Sequence, residues 1–170
     1  MRLIILPGNS SHNKEWLEAA SAAFYERFPR QHLQYYQHWQ TEEQMTDMNK
    51  ELDRLVKAVG STEGDLILAK SVGTMLTLSG AYQGLLIPCS VVLLGLPIGF
   101  VKERGWDPTP WLQQFHQKAT IIQKEYDPIT SHQEVEEELE KLGRNNFELI
   151  KIPGNDHDYG EFSLISQYLY

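Results

Sequence analysis

Three residues of this chain are of the types that acyl transfer uses. They are Ser71 in Ala69-Lys70-Ser71-Val72-Gly73, Asp127 in Glu125-Tyr126-Asp127-Pro128, and His157 in the polar stretch Pro153 to Gly160. A serine hydroxyl is too weakly acidic to attack a carbonyl carbon unaided. It needs a general base, and the base needs a carboxylate that fixes its tautomer and stabilises its protonated form. A small residue two before the serine and a glycine two after it permit the sharp strand-to-helix turn that lifts a hydroxyl clear of its flanks. A helix opening just past the serine adds amide donors and a positive dipole end for a developing oxyanion.

Each residue also has a plainer reading. Ser71 can be the N-cap of an ordinary helix, with Gly73 only permitting the turn. Asp127 can be a turn-former before Pro128, with Glu125 and then Asp156 as rivals for the acid. Asp156, His157 and Asp158 suit a metal in type, although adjacent residues seldom converge on one ion. Lys70 sets a cation beside the serine, where it either steers acidic substrates or points to solvent.

For the three residues to meet, each must follow its own strand at one rim of a sheet. Apolar runs predict strands at Arg2 to Leu6, Leu66 to Leu68, Ser90 to Leu94, Ala119 to Gln123 and Phe147 to Ile152. A weaker alternation at Leu33 to Trp39 predicts an edge strand. Between them, helical spacing and caps predict a helix capped by Asn13 and carrying Trp16, Ala20, Ala23 or Phe24, and Phe28. A second is opened by a Thr41/Gln44 capping box and runs through Met45, Met48, Leu52, Leu55 or Val56, and Val59 to Gly60. Further helices are expected at Val72 to Tyr82, at Pro110 to Gln117 burying Trp111 and Phe115, from the Ser131/Glu134 capping box to Gly143, and at Gly160 to Leu169. Strands alternating with helices imply a three-layer α/β/α sandwich around a mostly parallel sheet of about six strands with right-handed crossovers. Ligands bind such sheets at the carboxyl ends of the strands. That rule selects Asn9 to His12, Ser71, Gly95 to Phe100, Asp127 and His157.

With 170 residues, of which 41% are hydrophobic, the chain suits one domain, residues 1–170, with one core. A formal charge of -8 argues against nucleic acid or an anionic membrane as partner and leaves a small-molecule substrate. The single cysteine, Cys89, excludes an internal disulfide framework and reads as a buried structural thiol in a reducing compartment. The opening MRLIILPG has no charged lead and long apolar core of the secretory kind. The greasiest run, Ile87 to Phe100, is broken by prolines and glycine and is too short to span a bilayer. Together these features predict a cytoplasmic protein.

With these residues in place, the chain resembles a small, lid-poor α/β-hydrolase, most similar to the compact serine hydrolases of the retinoblastoma-binding-protein-like family. The resemblance runs from Pro7-Gly8-Asn9 after the first strand, through Trp16 and the turn at Ser71, to Asp127-Pro128 and His157. It implies Ser71 as nucleophile, His157 as general base and acid, and Asp127 as orienting carboxylate, with the backbone amides of Val72 and Asn9 forming an oxyanion hole. It also implies a cap between Gly95 and Lys118, so the candidate pocket residues are Ser10, Lys70, Pro97, Phe100 and Trp106. No metal and no cofactor is implied. The chain departs from the family pattern at Ala69 and Lys70, in the glycine-poor loop Asn9 to His12, and at Asn155-Asp156 before the histidine. The resulting expectation is a serine hydrolase of a small carboxylic ester, thioester or activated amide. The alternative is a non-catalytic binding or scaffold protein on a hydrolase fold.

Overall fold

The computed structural model describes residues 1–41, 43–143 and 146–170. Six strands, β1 (Leu3–Leu6), β2 (Gln31–Leu33), β3 (Leu66–Lys70), β4 (Ser90–Leu94), β5 (Lys118–Lys124) and β6 (Phe147–Ile152), form one sheet in the order β2-β1-β3-β4-β5-β6. Every pairing is parallel. The central strands β1, β3 and β4 are buried along their whole length, which is why they read as continuous apolar runs and not as alternations.

Alternate residues of these strands feed two separate apolar layers. Ile4, Ile67, Val91 and Ile121 face the helices α2 (Met48–Val59), α3 (Val72–Tyr82) and α6 (His132–Leu142), through Leu52, Leu55, Met75 and Val135. Leu3, Ile5, Leu68, Val92 and Ile122 face α1 (Asn13–Phe24) and the C-terminal segment, through Leu17, Ala20, Phe24, Ile165 and Leu169. The sandwich is therefore three layers deep. Short helices α4 (Ile98–Glu103) and α5 (Thr109–Gln113) lie between β4 and β5, and α7 (Phe162–Ile165) follows β6. No helix among the described residues is long and apolar enough to cross a membrane.

Several local expectations are corrected. Helix α2 begins at Met48 and not at Met45, because Asp47 caps it by accepting from the Lys50 N–H, while Thr41 ends a preceding 3-10 turn at Gln37–Gln40. The edge strand is Gln31–Leu33 and stops before Tyr36, whose hydroxyl turns in to donate to the Pro7 carbonyl at 2.9 Å. Asn13 is the first residue of α1 and caps nothing; its amide donates back to Ser10 O at 3.0 Å. Cys89 is exposed, since β4 starts only at the next residue, and its thiol donates to Asp65 O. The helix expected at Pro110 to Gln117 is shorter, and Phe115 lies beyond it, buried and stacked on Phe147. The terminal helix divides into α7 and a 3-10 turn, Ser166–Tyr168. By contrast, the Ser131/Glu134 capping box forms in full, and α6 ends at left-handed Gly143.

Backbone approaches backbone closely where α3 leaves the sheet over the end of β1. Gly73 donates to Pro7 O at 3.1 Å, and a Cβ on Gly73 would lie 2.6 Å from Leu6 O and 2.8 Å from Pro7 O. Both obstacles are backbone and cannot rotate away. Gly73→Ala is therefore expected to lose about 2–3 kcal/mol of stability, at the upper end of overpacking effects. Urea unfolding checks this against Gly160→Ala, where nothing lies within 4 Å and little loss is expected.

Candidate active site

Ser71 joins β3 to α3 with φ 52° and ψ -121°, a left-handed region that a residue with a Cβ adopts at a cost of about 1–3 kcal/mol. The surroundings hold it there. Its N–H donates to Leu94 O on the neighbouring strand at 2.8 Å, and its carbonyl accepts from the Thr74 N–H at 2.8 Å and the Thr74 hydroxyl at 2.6 Å. The Ser71 side chain makes no capping bond, which removes the N-cap reading. The hydroxyl is left free at the mouth of the turn. Val72 opens α3, so its N–H has no intrahelical acceptor.

His157 and Asp127 arrive from the ends of β6 and β5. His157 Nδ1 lies 2.7 Å from Asp127 Oδ2. Asp127 is 3% exposed, and its other oxygen accepts from the Ile129 N–H at 2.8 Å. Burial pushes its carboxyl pKa up, but the bonds from His157, Tyr159 and Ile129 outweigh burial and hold it below the ordinary range. An ionised carboxylate only accepts, so Nδ1 carries the proton of the neutral ring and Nε2 is left with a lone pair. That Nε2 is buried and has no hydrogen-bond partner among the described residues. The rivals for the acid are engaged elsewhere: Asp156 binds Lys124 at 2.7 Å, and Glu125 lies 3.9 Å from Lys151. No group of three or more metal-ligating side chains converges among the described residues.

Three supports of this pair were missed from the sequence. The Tyr159 phenol donates to Asp127 Oδ2 at 2.6 Å and accepts from the Lys124 N–H at 3.0 Å, and burial together with that donation raises its pKa far above the ordinary phenol value. Lys124 Nζ grips the histidine loop on both sides, at Asp156 and at Glu161, 2.8 Å away. Gln123, fully buried, accepts from the Leu96 N–H at 2.9 Å and donates to Thr130 O at 2.5 Å, which ties the loops after β4 and β5 together. Only the position of these residues at strand ends hinted at such work. Gly95, with φ 61°, makes room for the histidine, since a Cβ there would meet Tyr159 at 2.5 Å and the His157 ring at 2.9 Å.

Ser71 and His157 line one cleft of about 580 Å³, together with Ser10, Asn13, Trp16 and Lys70. No hydrogen bond joins the serine hydroxyl to the imidazole. Asn9 is held by its neighbours: its side-chain oxygen accepts from the Thr46 N–H at 2.8 Å and its carbonyl from Trp39 Nε1 at 2.7 Å and His38 Nε2 at 2.8 Å. Its own N–H is engaged by none of the described residues. Lys70 does not point to solvent. It is 5% exposed, donates to Asn13 Oδ1 at 2.8 Å and lies 5.3 Å from the centre of the Trp16 ring. Three expected lining residues fall outside this cleft. Pro97 is buried ahead of α4, Phe100 carries the Arg104 guanidinium on its ring, and Trp106 joins Trp111 and Ser79 around a separate depression. The reason is that α4 and α5 fold back onto α3 and the sheet, and do not arch over the serine.

The architecture can now be compared with known proteins. No protein-family model matches the chain, and no curated protein matches it. Among solved structures it is similar to an esterase from Pyrococcus furiosus, with a TM-score of 0.74 at 14% identity over 98% of this chain and 80% of that one. It is similar also to the Butyrivibrio proteoclasticus protein Est1E with ferulic acid bound, with a TM-score of 0.69 at 13% identity over 98% and 85%. An uncharacterised protein from Bacillus cereus gives 0.73 at 16% identity. This chain spans 98% of itself but 58% of that last structure. The chain has the α/β-hydrolase fold. In that fold the turn after the third strand here, the loop after β5 and the loop after β6 share one rim, which is where Ser71, Asp127 and His157 lie.

Lys70 gives this rim a measurable signature. Burial, helped by the Lys124 charge and opposed by Asp158, Asp156 and Asp127, pushes its ammonium pKa down from 10.5 to about 8. Below pH 8 both folded and unfolded chains are protonated here, and the folded state carries the full desolvation penalty, about 3 kcal/mol for such a shift. Between pH 8 and 10.5 the unfolded chain binds the extra proton, so this penalty fades as pH rises. Lys70→Met is expected to stabilise the protein by about 1–3 kcal/mol at pH 7, after allowing for the lost Asn13 bond. Urea midpoints at pH 7 and pH 9.5 check it, with the gain smaller at the higher pH.

Proposed function

We propose that the protein is a serine hydrolase acting on small carboxylic esters, thioesters or activated amides through an acyl-enzyme, nearest in kind to the compact retinoblastoma-binding-protein-like enzymes. The observation that carries this reading is the imidazole of His157. Its Nδ1 is on a buried carboxylate, and its Nε2 is unpartnered in the cleft that also holds a serine in a strained turn. In the reaction, Nε2 takes the Ser71 proton as Oγ attacks the carbonyl carbon, and Asp127 stabilises the resulting imidazolium. The N–H of Val72 and that of Asn9 donate to the oxyanion; one such donor is worth about 3 kcal/mol to the transition state. The protonated imidazole then gives its proton to the leaving group. Water, deprotonated at Nε2, releases the acid and restores the serine. The cleft volume suits a small molecule. An esterase and a thioesterase domain among structures of similar fold are consistent with acyl substrates.

The test is labelling by a fluorophosphonate probe together with turnover of a short-chain nitrophenyl ester. Ser71→Ala is expected to abolish both, whereas Ser79→Ala, on the buried face of α3, keeps both. Asp127→Asn is expected to lower kcat by up to about 10⁴-fold, because an amide cannot stabilise the imidazolium and favours the wrong tautomer. Labelling that persists in Ser71→Ala, or a silent Asp127→Asn, would refute the assignment.

A further inference from the structure

The side chain immediately before the serine is a buried cation with no counter-charge in contact. Among the described residues Lys70 Nζ has one hydrogen-bond acceptor, Asn13 Oδ1 at 2.8 Å, which leaves two of its three N–H donors unused by them. Among the described residues no carboxylate lies within 4.0 Å of it, although Asp156, Asp158 and Asp127 are close enough to favour its charge. Its partners Asn13 and Trp16 are wall residues of the cleft that contains Ser71 and His157. The comparison with Lys124 is instructive. Equally buried, that ammonium is matched by two carboxylates, Asp156 and Glu161, and is thereby fully accounted for as structure. Lys70 has been given neutral neighbours instead. A buried ammonium is unfavourable unless something negative meets it, and Lys70 itself lines the cleft that holds Ser71 and His157.

We propose that Lys70 forms an anion subsite, and that the substrate is an ester or thioester whose acyl or leaving group bears a carboxylate. This rests on the serine hydrolase reading for the ester, but not for the anion. One ammonium matches one carboxylate in charge. A phosphate dianion is disfavoured, because Glu15 and Asp158 stand exposed at the same cleft and the chain carries a formal charge of -8. Those rim carboxylates act through water, where a pair of charges at contact is worth about 1 kcal/mol, whereas Lys70 donates directly from a poorly solvated wall. The subsite accounts for a lysine where a smaller or neutral residue would serve the turn equally well.

The experiment compares monomethyl glutarate with methyl pentanoate, a neutral ester of similar length, on the unsubstituted protein and on Lys70→Met. The ratio of kcat/KM for the anionic over the neutral ester is expected to fall at least tenfold in the variant. An unchanged ratio overturns the proposal, and because it is a ratio, partial loss of active protein does not mimic the effect. In parallel, glutarate binding is measured by calorimetry on Ser71→Ala and on Ser71→Ala combined with Lys70→Met. Saturable binding weakened at least tenfold by the second substitution supports the subsite even if no ester is hydrolysed, in which case the hydrolase reading alone fails. Ser71-dependent hydrolysis with no glutarate binding and an unchanged ratio overturns the subsite and leaves the hydrolase standing. Inorganic phosphate binding more tightly than glutarate would also overturn the carboxylate assignment.

Discussion

A carboxylate that is almost completely removed from water holds the functional rim together. Asp127 accepts from an imidazole, a phenol and a backbone amide; the first two come from the loop after β6, two residues apart, and the third from the turn after Pro128. Buried charge is tolerated only when every lone pair is met, so the acid dictates where its donors must be. His157 and Tyr159 cannot both reach Oδ2 unless the loop bends sharply. Tyr159 therefore adopts φ 54°, one of two positive values outside glycine among the described residues. The other is Ser71. Strain is thus concentrated in the two turns that face each other across the cleft, and the hydrogen bonds of Asp127, Lys124 and Trp16, whose indole donates to Tyr159 O at 2.8 Å, keep them from relaxing.

The two lysines at the strand tips illustrate how one residue type is put to opposite uses. For Lys124, burial lowers the ammonium pKa, but its hydrogen bonds to Asp156 and Glu161 outweigh it and raise the value above the ordinary one. It closes a loop of the chain around the histidine, and Gly154 leaves the space its methylenes need, since a Cβ there would lie 2.7 Å from Lys124 Cδ. Lys70, at the end of β3 with β4 between the two strands, receives no such pairing among the described residues. The fold is able to neutralise a buried ammonium with nearby carboxylates, and at residue 70 it does not. A device for stability would have looked like Lys124.

Much of this was legible in the chain, and the failures share a cause. Continuous apolar runs gave the buried strands because a parallel sheet covered on both faces asks for nothing but apolar volume. The chain order serine, aspartate, histidine pointed to one rim because parallel strands put all their carboxyl ends together. What could not be read was competition between local signals. Thr41 and Asp47 both offer helix caps, and the choice went to Asp47 because Asn9 recruits the intervening residues, taking the Thr46 N–H and donating to Gln44 O. Leu33, Tyr35 and Trp39 alternate as strand residues do, yet Tyr36 and Trp39 turn beneath the Pro7 to Asn9 loop and donate to its carbonyls. Phe100 and Trp106 had the composition of a pocket wall, but nothing local says which way α4 and α5 fold. The role of Tyr159 was invisible for the same reason, since a phenol's partner is decided in space.

The recruitment of Asn9 bears on the chemistry as well as the fold. A loop rich in glycine can present its amides to an oxyanion because nothing else constrains it, and this chain lacks those glycines. Here rigidity comes from the other direction. Because the Asn9 carbonyl can only accept, His38 must carry its proton on Nε2, and the Thr46 hydroxyl then donates to His38 Nδ1 at 2.9 Å. These bonds hold the Asn9–Ser10 peptide and the Asn9 side chain, and so anchor the residue whose own N–H, in the preceding peptide, is the proposed oxyanion donor. A fixed amide is what an oxyanion hole needs, since a donor that must first reorient loses much of its advantage in the transition state. Residues 37–41 and 43–46 are therefore explained as scaffolding for the loop after β1: aromatic and polar side chains do there what glycine and close backbone approach do elsewhere.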